Sequence, residues 1–185
     1  MLARTLIVFL LFAFSLKADQ NDSRLDHLFN LLLEADSEIA INRITSNIWD
    51  IWYETNDPKI EADFYRGMES VRTGDLLMSV AFFTRVIEKN PTFAEGWNKR
   101  ATVYFMLGKF DKSMIDIIKT LKLEPRHFGA MDGMALIFIQ TQQFNKAISI
   151  YDQILKIFPK SISIIEKKER LLNYITKSVM SNALS

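Results

Sequence analysis

From Pro91 to Pro125 the chain reads PTFAEGWNKRATVYFMLGKFDKSMIDIIKTLKLEP, and this stretch decides the fold. Trp97, Ala101, Tyr104 and Leu107 fall at i, i+4, i+7 and i+10, so they share one face of a helix instead of alternating across a strand. Thr92 followed by Glu95 has the form of a helix-capping box just after Pro91, and Gly108 supplies a stop. The apolar pattern resumes beyond Gly108 and predicts a second helix over 110–123, closed before Pro125.

Working outward, Pro91, Pro125 and Pro159 are separated by 34 residues twice over, a period that signals stacked supersecondary units. In units 60–93, 94–127 and 128–161 the eighth position is Gly67, Ala101 and Ala135, and the twentieth is Ser79, Ser113 and Ala147. Larger groups recur at Phe83, Ile117 and Tyr151 and at Val86, Thr120 and Ile154. Two antiparallel helices approach closely only where a small side chain leaves a hole for a bulky one opposite. The pattern therefore predicts helix pairs near 60–73/76–89, 93–107/110–123 and 128–141/144–157.

Trp97, Ala101, Tyr104, Leu107, Gly108, Ser113, Ile117, Thr120 and Pro125, followed by Ala135, Phe138, Ala147, Tyr151 and Pro159, resemble the tetratricopeptide repeat (TPR) pattern across 60–161. Departures occur at Asp63 and Met131 in position four, Arg66 and Arg100 in position seven, and Ser70 where Tyr104 and Phe138 stand. The resemblance implies an all-α, right-handed superhelix of three helix hairpins. Residues 24–56 are expected to form a degenerate helix-pair cap, with Leu25, Leu28, Phe29 and Leu32 on one helix and Ala40, Ile44, Ile48 and Trp52 on the next. Leu33 occupies the small-residue position there, which alters the crossing. Residues 161–181 are expected to be a C-terminal capping helix, with Ile165, Leu172, Ile175 and Val179 over the last unit and Lys167, Lys168, Glu169, Arg170 and Lys177 on its other side.

The resemblance also implies function. In TPR proteins the first helix of each pair lines an inner, concave face that holds a protein or peptide. Carried onto this chain, that groove is Phe64, Met68, Asn98, Lys99, Thr102, Phe105, Met106, Asp132, Leu136 and Ile139, a surface suited to an apolar stripe. The chain's own N-terminal helices are an alternative occupant. Family members that clamp a chaperone's terminal carboxylate use Lys and Asn on the first unit, Asn on the second, and Lys and Arg on the third, where this chain has Phe64 and Met68, Lys99, and Gly129 and Gly133. None matches, so no such clamp is expected. Arg126 and His127, in the turn before Gly129, are candidates at the groove rim for an acidic group; alternatively His127 begins a helix and Phe128 packs between units.

Composition bounds the rest. A chain of 185 residues with 49% hydrophobic content can bury one core. Residues 1–18, with Arg4 ahead of an apolar run from Thr5 to Leu16, have the order of a cleavable export signal. That run is short of the ~20 residues that span a bilayer. A location outside the cytoplasm, in a bacterial periplasm, is the expectation, with membrane attachment only through an uncleaved signal. Without 1–18 there are 21 basic and 22 acidic side chains, a net charge of −1 that gives no general attraction to nucleic acid. Residues 19–75 carry 5 basic and 13 acidic groups while 142–185 carry 7 and 3, which leaves self-association of opposite ends as the alternative function.

No constellation for catalysis is legible. There is no cysteine, and the two histidines, His27 and His127, each lack a helical partner for a metal. Gly108-Lys109 lacks the first glycine and the hydroxyl of a phosphate loop, and Ser70 lacks the second glycine of a nucleophile elbow. Glu61 with Asp63, and Asp111 with Asp116, are read as solvated charges. The chain is therefore expected to be no enzyme, to need no cofactor or metal, and to take no small-molecule substrate.

Overall fold

The computed structural model describes residues 22–55 and 57–183, and these contain helices and no strand. The expected signal at 1–18 lies outside the described residues, as does the side chain of Val179. The helices are α1 Ser23–Glu34, α2 Glu38–Tyr53, α3 Pro58–Arg72, α4 Leu76–Lys89, α5 Ala94–Met106, α6 Phe110–Leu123, α7 Phe128–Gln140, α8 Phe144–Ile157 and α9 Ile162–Ala183.

Local chemistry sets most of these bounds. Asp22, Ser37, Asp57 and Asp75 each accept a hydrogen bond from a backbone N–H in the helix that follows, and Pro58 fills a first-turn position that needs no donor. Inside each hairpin the chain reverses through a left-handed residue, Gly74 at φ 82°, Gly108 at φ 69° and Gln142 at φ 57°. The capping box expected from Thr92 and Glu95 does not form. Phe93 begins α5 without a side-chain cap, the Thr92 hydroxyl donates to Asn90 Oδ1 at 2.7 Å, and Glu95 turns into the interior.

The small residues sit where the repeat requires them. Gly67, Ser79, Ala101, Ser113, Ala135 and Ala147 are all buried. A Cβ on Gly67 would lie 2.7 Å from the Phe83 ring, so only glycine admits the bulky group that α4 presents. The serines add a polar weld across their hairpins, Ser79 Oγ donating to the Gly67 carbonyl at 2.9 Å and Ser113 Oγ to the Ala101 carbonyl at 2.8 Å. Unit departures are absorbed by ion pairs. Asp63 is buried against Lys89 at 2.7 Å and Arg85 at 3.1 Å, and Arg100 holds buried Asp116 at 2.7 Å. Asp63 and Asp116 are thus interhelical partners and not the solvated charges expected, because Arg85, Lys89 and Arg100 reach them from the paired helix.

Successive helices from α3 to α9 pack in order, and the first helices also touch one another, α3 on α5 and α5 on α7, while α4, α6 and α8 do not. Contact on one side and divergence on the other curves the stack, with α3, α5 and α7 on the inner face. The protein is an all-α TPR solenoid in form. Among the described residues no helix is long and apolar enough to cross a membrane.

The α1–α2 pair is placed differently from an end cap. The α1–α2 pair packs on α5 and α8, and it reaches α3 through the Tyr53 ring against Phe64 at 5.8 Å. Leu33, where a repeat needs a small residue, stays 47% exposed instead of entering a layer. The pair docks instead through an aromatic ridge onto the inner face.

Candidate functional site

The ridge is Phe29, Trp49, Trp52 and Tyr53. Trp52 is fully buried and stacks flat on the His127 imidazole at 4.0 Å, while Trp49 and Phe29 stand edge-on to Phe128 at 5.6 and 6.5 Å. Gly129 makes room for it, since a Cβ there would meet the Trp49 ring at 2.6 Å. The seat holds a polar cluster beneath the rings. His127 Nδ1 accepts from the Ala130 N–H at 3.1 Å, which leaves its Nε2–H to donate to Glu95 Oε2 at 2.8 Å. Lys99 Nζ donates to Tyr53 Oη at 3.0 Å and pairs with Glu95 at 3.1 Å. Burial pushes the Glu95 carboxyl up, but the hydrogen bond from His127 and the charge of Lys99 outweigh it and hold it below the ordinary range. Burial likewise pulls Lys99 down, and Glu95 with the Tyr53 hydroxyl more than restores its charge.

This arrangement revises the expected groove. Phe64 is fully buried among Tyr53, Phe83 and Phe93, and Met68 is half-buried in the same cluster, so neither offers the open surface expected of it. Lys99 is covered by Tyr53 and Trp49. His127 is sealed and cannot receive an acidic group; it begins α7, and Phe128 packs among Trp49, Trp52, Phe29 and Phe158. Arg126 is committed to Glu124 at 3.1 Å and to Asp26 of α1 at 2.7 Å. The Glu95–His127 pair has the residue types of a catalytic dyad, but both side chains are wholly enclosed and the histidine is fixed as a helix cap. Among the described residues no three His, Asp or Glu side chains converge as metal ligands do.

The other end of the inner face is open. A cavity of about 210 Å³ lies between α5 and α7, lined by Asn98, Thr102, Phe105, Asp132, Gly133 and Leu136 among others. A second, of about 560 Å³, lies between α7, α8 and α9, lined by Leu136, Ile139, Phe144, Tyr151, Lys167, Arg170 and Tyr174 among others. Leu136 borders both, so the two adjoin across its side chain, an open channel in two parts. Thr102 and Met106 are exposed beside it, and Asn98 is buried with its amide donating to Glu95 at 3.0 Å. Asp132 pairs with Lys167 at 2.6 Å. Sequence reasoning missed Tyr151, Lys167 and Arg170 as lining residues. Adding the 34-residue period to Gly133 and Leu136 lands on Lys167 and Arg170, the signal by which α9 is found to continue the inner face.

Two models of the tetratricopeptide repeat match, over residues 82–114 and 130–161. A TPR repeat-containing protein of Rhizobium etli is 31% identical over 136 residues, which is 74% of this chain and 67% of that protein. The chain belongs to the tetratricopeptide repeat family. The Hsp70-Hsp90 organizing protein 1 of Glycine max is 25% identical over 66% of this chain, which spans 22% of that longer protein. Among solved structures, the first TPR of Spaghetti (RPAP3) bound to an HSP90 peptide is similar at TM-score 0.60 and 17% identity, covering 64% of this chain and 94% of that one. The TPR2B domain of yeast Sti1 in complex with an Hsp70 peptide is similar at TM-score 0.59 and 20% identity, covering 66% and 99%. At these identities the likeness is one of fold. In this TPR chain α1 and α2 fold onto the inner face, and α9 borders its open part.

Proposed function

We propose that this TPR protein is a protein-interaction module, an adaptor or scaffold that holds a segment of a partner in the open channel of α5, α7 and α9, and that it does so outside the cytoplasm, in a bacterial periplasm. The single observation carrying the binding site is that α2 closes one part of the inner face and leaves an apolar, Leu136-centred channel in the rest. Magnitudes make α2 a wall and not a lid. An aromatic side chain buries about 150–250 Å², which at about 25 cal/mol per Å² is roughly 4–6 kcal/mol for Trp52 alone. Reversing a two-state equilibrium from 1:99 to 99:1 takes about 5.5 kcal/mol, so a partner that had to evict the whole ridge would spend most of its affinity doing so. Similar folds in complex with HSP90 and Hsp70 peptides favour a peptide ligand. The clamp positions, Phe64, Met68, Lys99, Gly129 and Gly133, do not supply their mode of capture. Export rests on the charge, apolar core and polar boundary of residues 1–18.

A photo-crosslinking residue at Thr102, compared with one at Lys112 on the outside of α6, tests this in living cells. Trapping of a partner at Thr102 alone is the expected outcome; equal trapping at both ends the channel reading. A second reading, self-association, is favoured by a notch of about 340 Å³ lined by Asp50, Glu54 and Glu61 among others, whose charge is complementary to the lysine-rich α9. Sedimentation at low and high salt tests it, since a charge-driven oligomer dissolves as salt rises.

A further inference from the structure

The repeat supplies its own control for the outer surface. Ile115, Ile118, Lys119 and Lys122 fall at i, i+3, i+4 and i+7, one face of α6, and all four are exposed, the isoleucines to 58% and 55%. One period away the isoleucine positions hold Ala81 and Thr84 in α4, and Ser149 and Asp152 in α8. The fold therefore accepts small or polar groups there, and α6 alone places two branched apolar side chains in water. Lone exposed apolar residues are ordinary. A pair framed by cations, at positions where both neighbouring units avoid one, marks a contact with another surface.

The counterpart lies on α1 and α2. Asn47, Asp50, Ile51 and Glu54 also fall at i, i+3, i+4 and i+7, on the face of α2 turned away from Trp49, Trp52 and Tyr53. With Leu28 and His27 of α1 they line a furrow of about 490 Å³, whose apolar part is Leu28 and Ile51. The notch that carries Glu61 shares Asp50 and Glu54 with it. Arg24, in the same furrow, is spent between Asp22 at 2.8 Å and Glu54 at 2.5 Å, so the rim is acidic. An apolar floor under a carboxylate rim fits a helix ridge of isoleucine flanked by lysine. On α9 three cations are already engaged, Lys167 by Asp132, Lys168 by Asp152 and Arg170 by Glu166. Lys119 and Lys122 of α6 have no acidic partner among the described residues. Two isoleucines give a lipid surface little apolar area to hold, whereas the furrow adds Leu28 and Ile51 to the contact.

We infer that α6 of one copy lays its Ile115 and Ile118 ridge in the α1–α2 furrow of a second copy, with Lys119 and Lys122 against Asp50 and Glu61. The two faces belong to different elements, so the contact is head-to-tail and a third copy can join at either end. A single helix ridge is at the small end of protein interfaces, so association is expected near about 100 µM. This contact rests on the self-association reading and uses neither part of the channel.

Sedimentation equilibrium of the full chain at low salt, taken up to about 300 µM, tests it. The average mass should rise with concentration past that of a dimer and fall back as salt is added. Lys119→Glu with Lys122→Glu makes the ridge acidic, and Asp50→Lys with Glu61→Lys makes the rim basic. Each doubly substituted chain alone should associate at least about tenfold more weakly, and an equimolar mixture of the two should regain association, because an acidic ridge then meets a basic furrow. Ile115→Ser with Ile118→Ser should weaken association about tenfold and leave the thermal midpoint at low concentration unchanged, since both side chains are exposed in a single copy. A chain that stays monomeric throughout overturns both the α6 contact and the self-association reading. Association that survives the charge reversals, or that the mixture does not restore, overturns the α6 contact alone. Binding of the monomeric wild type to phosphatidylglycerol vesicles, lost when both isoleucines are serine, assigns the ridge to lipid instead. In cells, a crosslinker at Lys112 that reaches a second copy gives a product of twice the chain mass, distinct from the partner trapped at Thr102.

Discussion

The two ends of the inner face are built from the same unit, yet one is filled and the other open. At the filled end Glu95, Lys99, His127 and Gly129 receive Trp49, Trp52 and Tyr53 of α2; at the open end Gly133, Leu136 and Ile139 line empty channel. Gly129 and Gly133 lie one turn apart on α7 and have opposite jobs. A Cβ on Gly129 collides with Trp49, whereas a Cβ on Gly133 meets nothing nearer than Ile117 Cδ1 at 3.5 Å. A repeat scaffold thus specifies the form of a groove, and single side chains decide which part of it remains available.

The strongest way to break this contrast is to empty the filled end. Trp52→Ala removes a fully buried indole and should cost about 3–5 kcal/mol in urea unfolding followed by circular dichroism. A cost below about 1 kcal/mol would mean that α2 does not occupy the seat in solution. The glycines give a sharper, two-signed test. Gly129→Ala should destabilise by about 1–3 kcal/mol through overpacking against Trp49, while Gly133→Ala should stabilise by about 0.5–1 kcal/mol because alanine is the better helix former and nothing opposes it. The same sign for both would erase the difference between the ends.

Acid probes the polar cluster under the ridge. Glu95 has a folded-state value depressed below its unfolded one, so its contribution is present above the ordinary carboxylate value of 4.5 and is lost as pH falls through the depressed value. Glu95→Gln should therefore flatten the fall of the urea midpoint below that pH; an unchanged acid profile would place the acid sensitivity elsewhere. The smallest effect belongs to Asp26→Asn. Its pair with Arg126 joins α1 to the rim, but Asp26 is 74% exposed, and its loss should stay within about 0.5 kcal/mol.

Most of the solenoid was legible because it is local and periodic. Gly67 facing Phe83, Ser79 and Ser113 bonded across their hairpins, and the turns at Gly74 and Gly108 all follow from contacts made within one unit. The groove residues on α5 and α7 were reachable by the same reasoning. What hid were groups whose partners lie far along the chain. His127 reads as a rim residue until Trp52 is laid on it, Phe64 reads as groove until Tyr53 covers it, and Glu95 reads as a cap until His127 claims it. Lys167 and Arg170 read as the outer side of a cap until α7 and α8 are laid beside α9.

The sequence by itself determined the three hairpins and their order, since a 34-residue spacing of small, bulky and turn-forming residues leaves one compact way to nest neighbouring helices. Only the tertiary structure decided where α1 and α2 lie and which part of the inner face stays open. Those outcomes hang on a few side chains that meet across 75 to 100 residues, Trp52 with His127 and Asp26 with Arg126, and a repeat period carries no information about contacts that occur once.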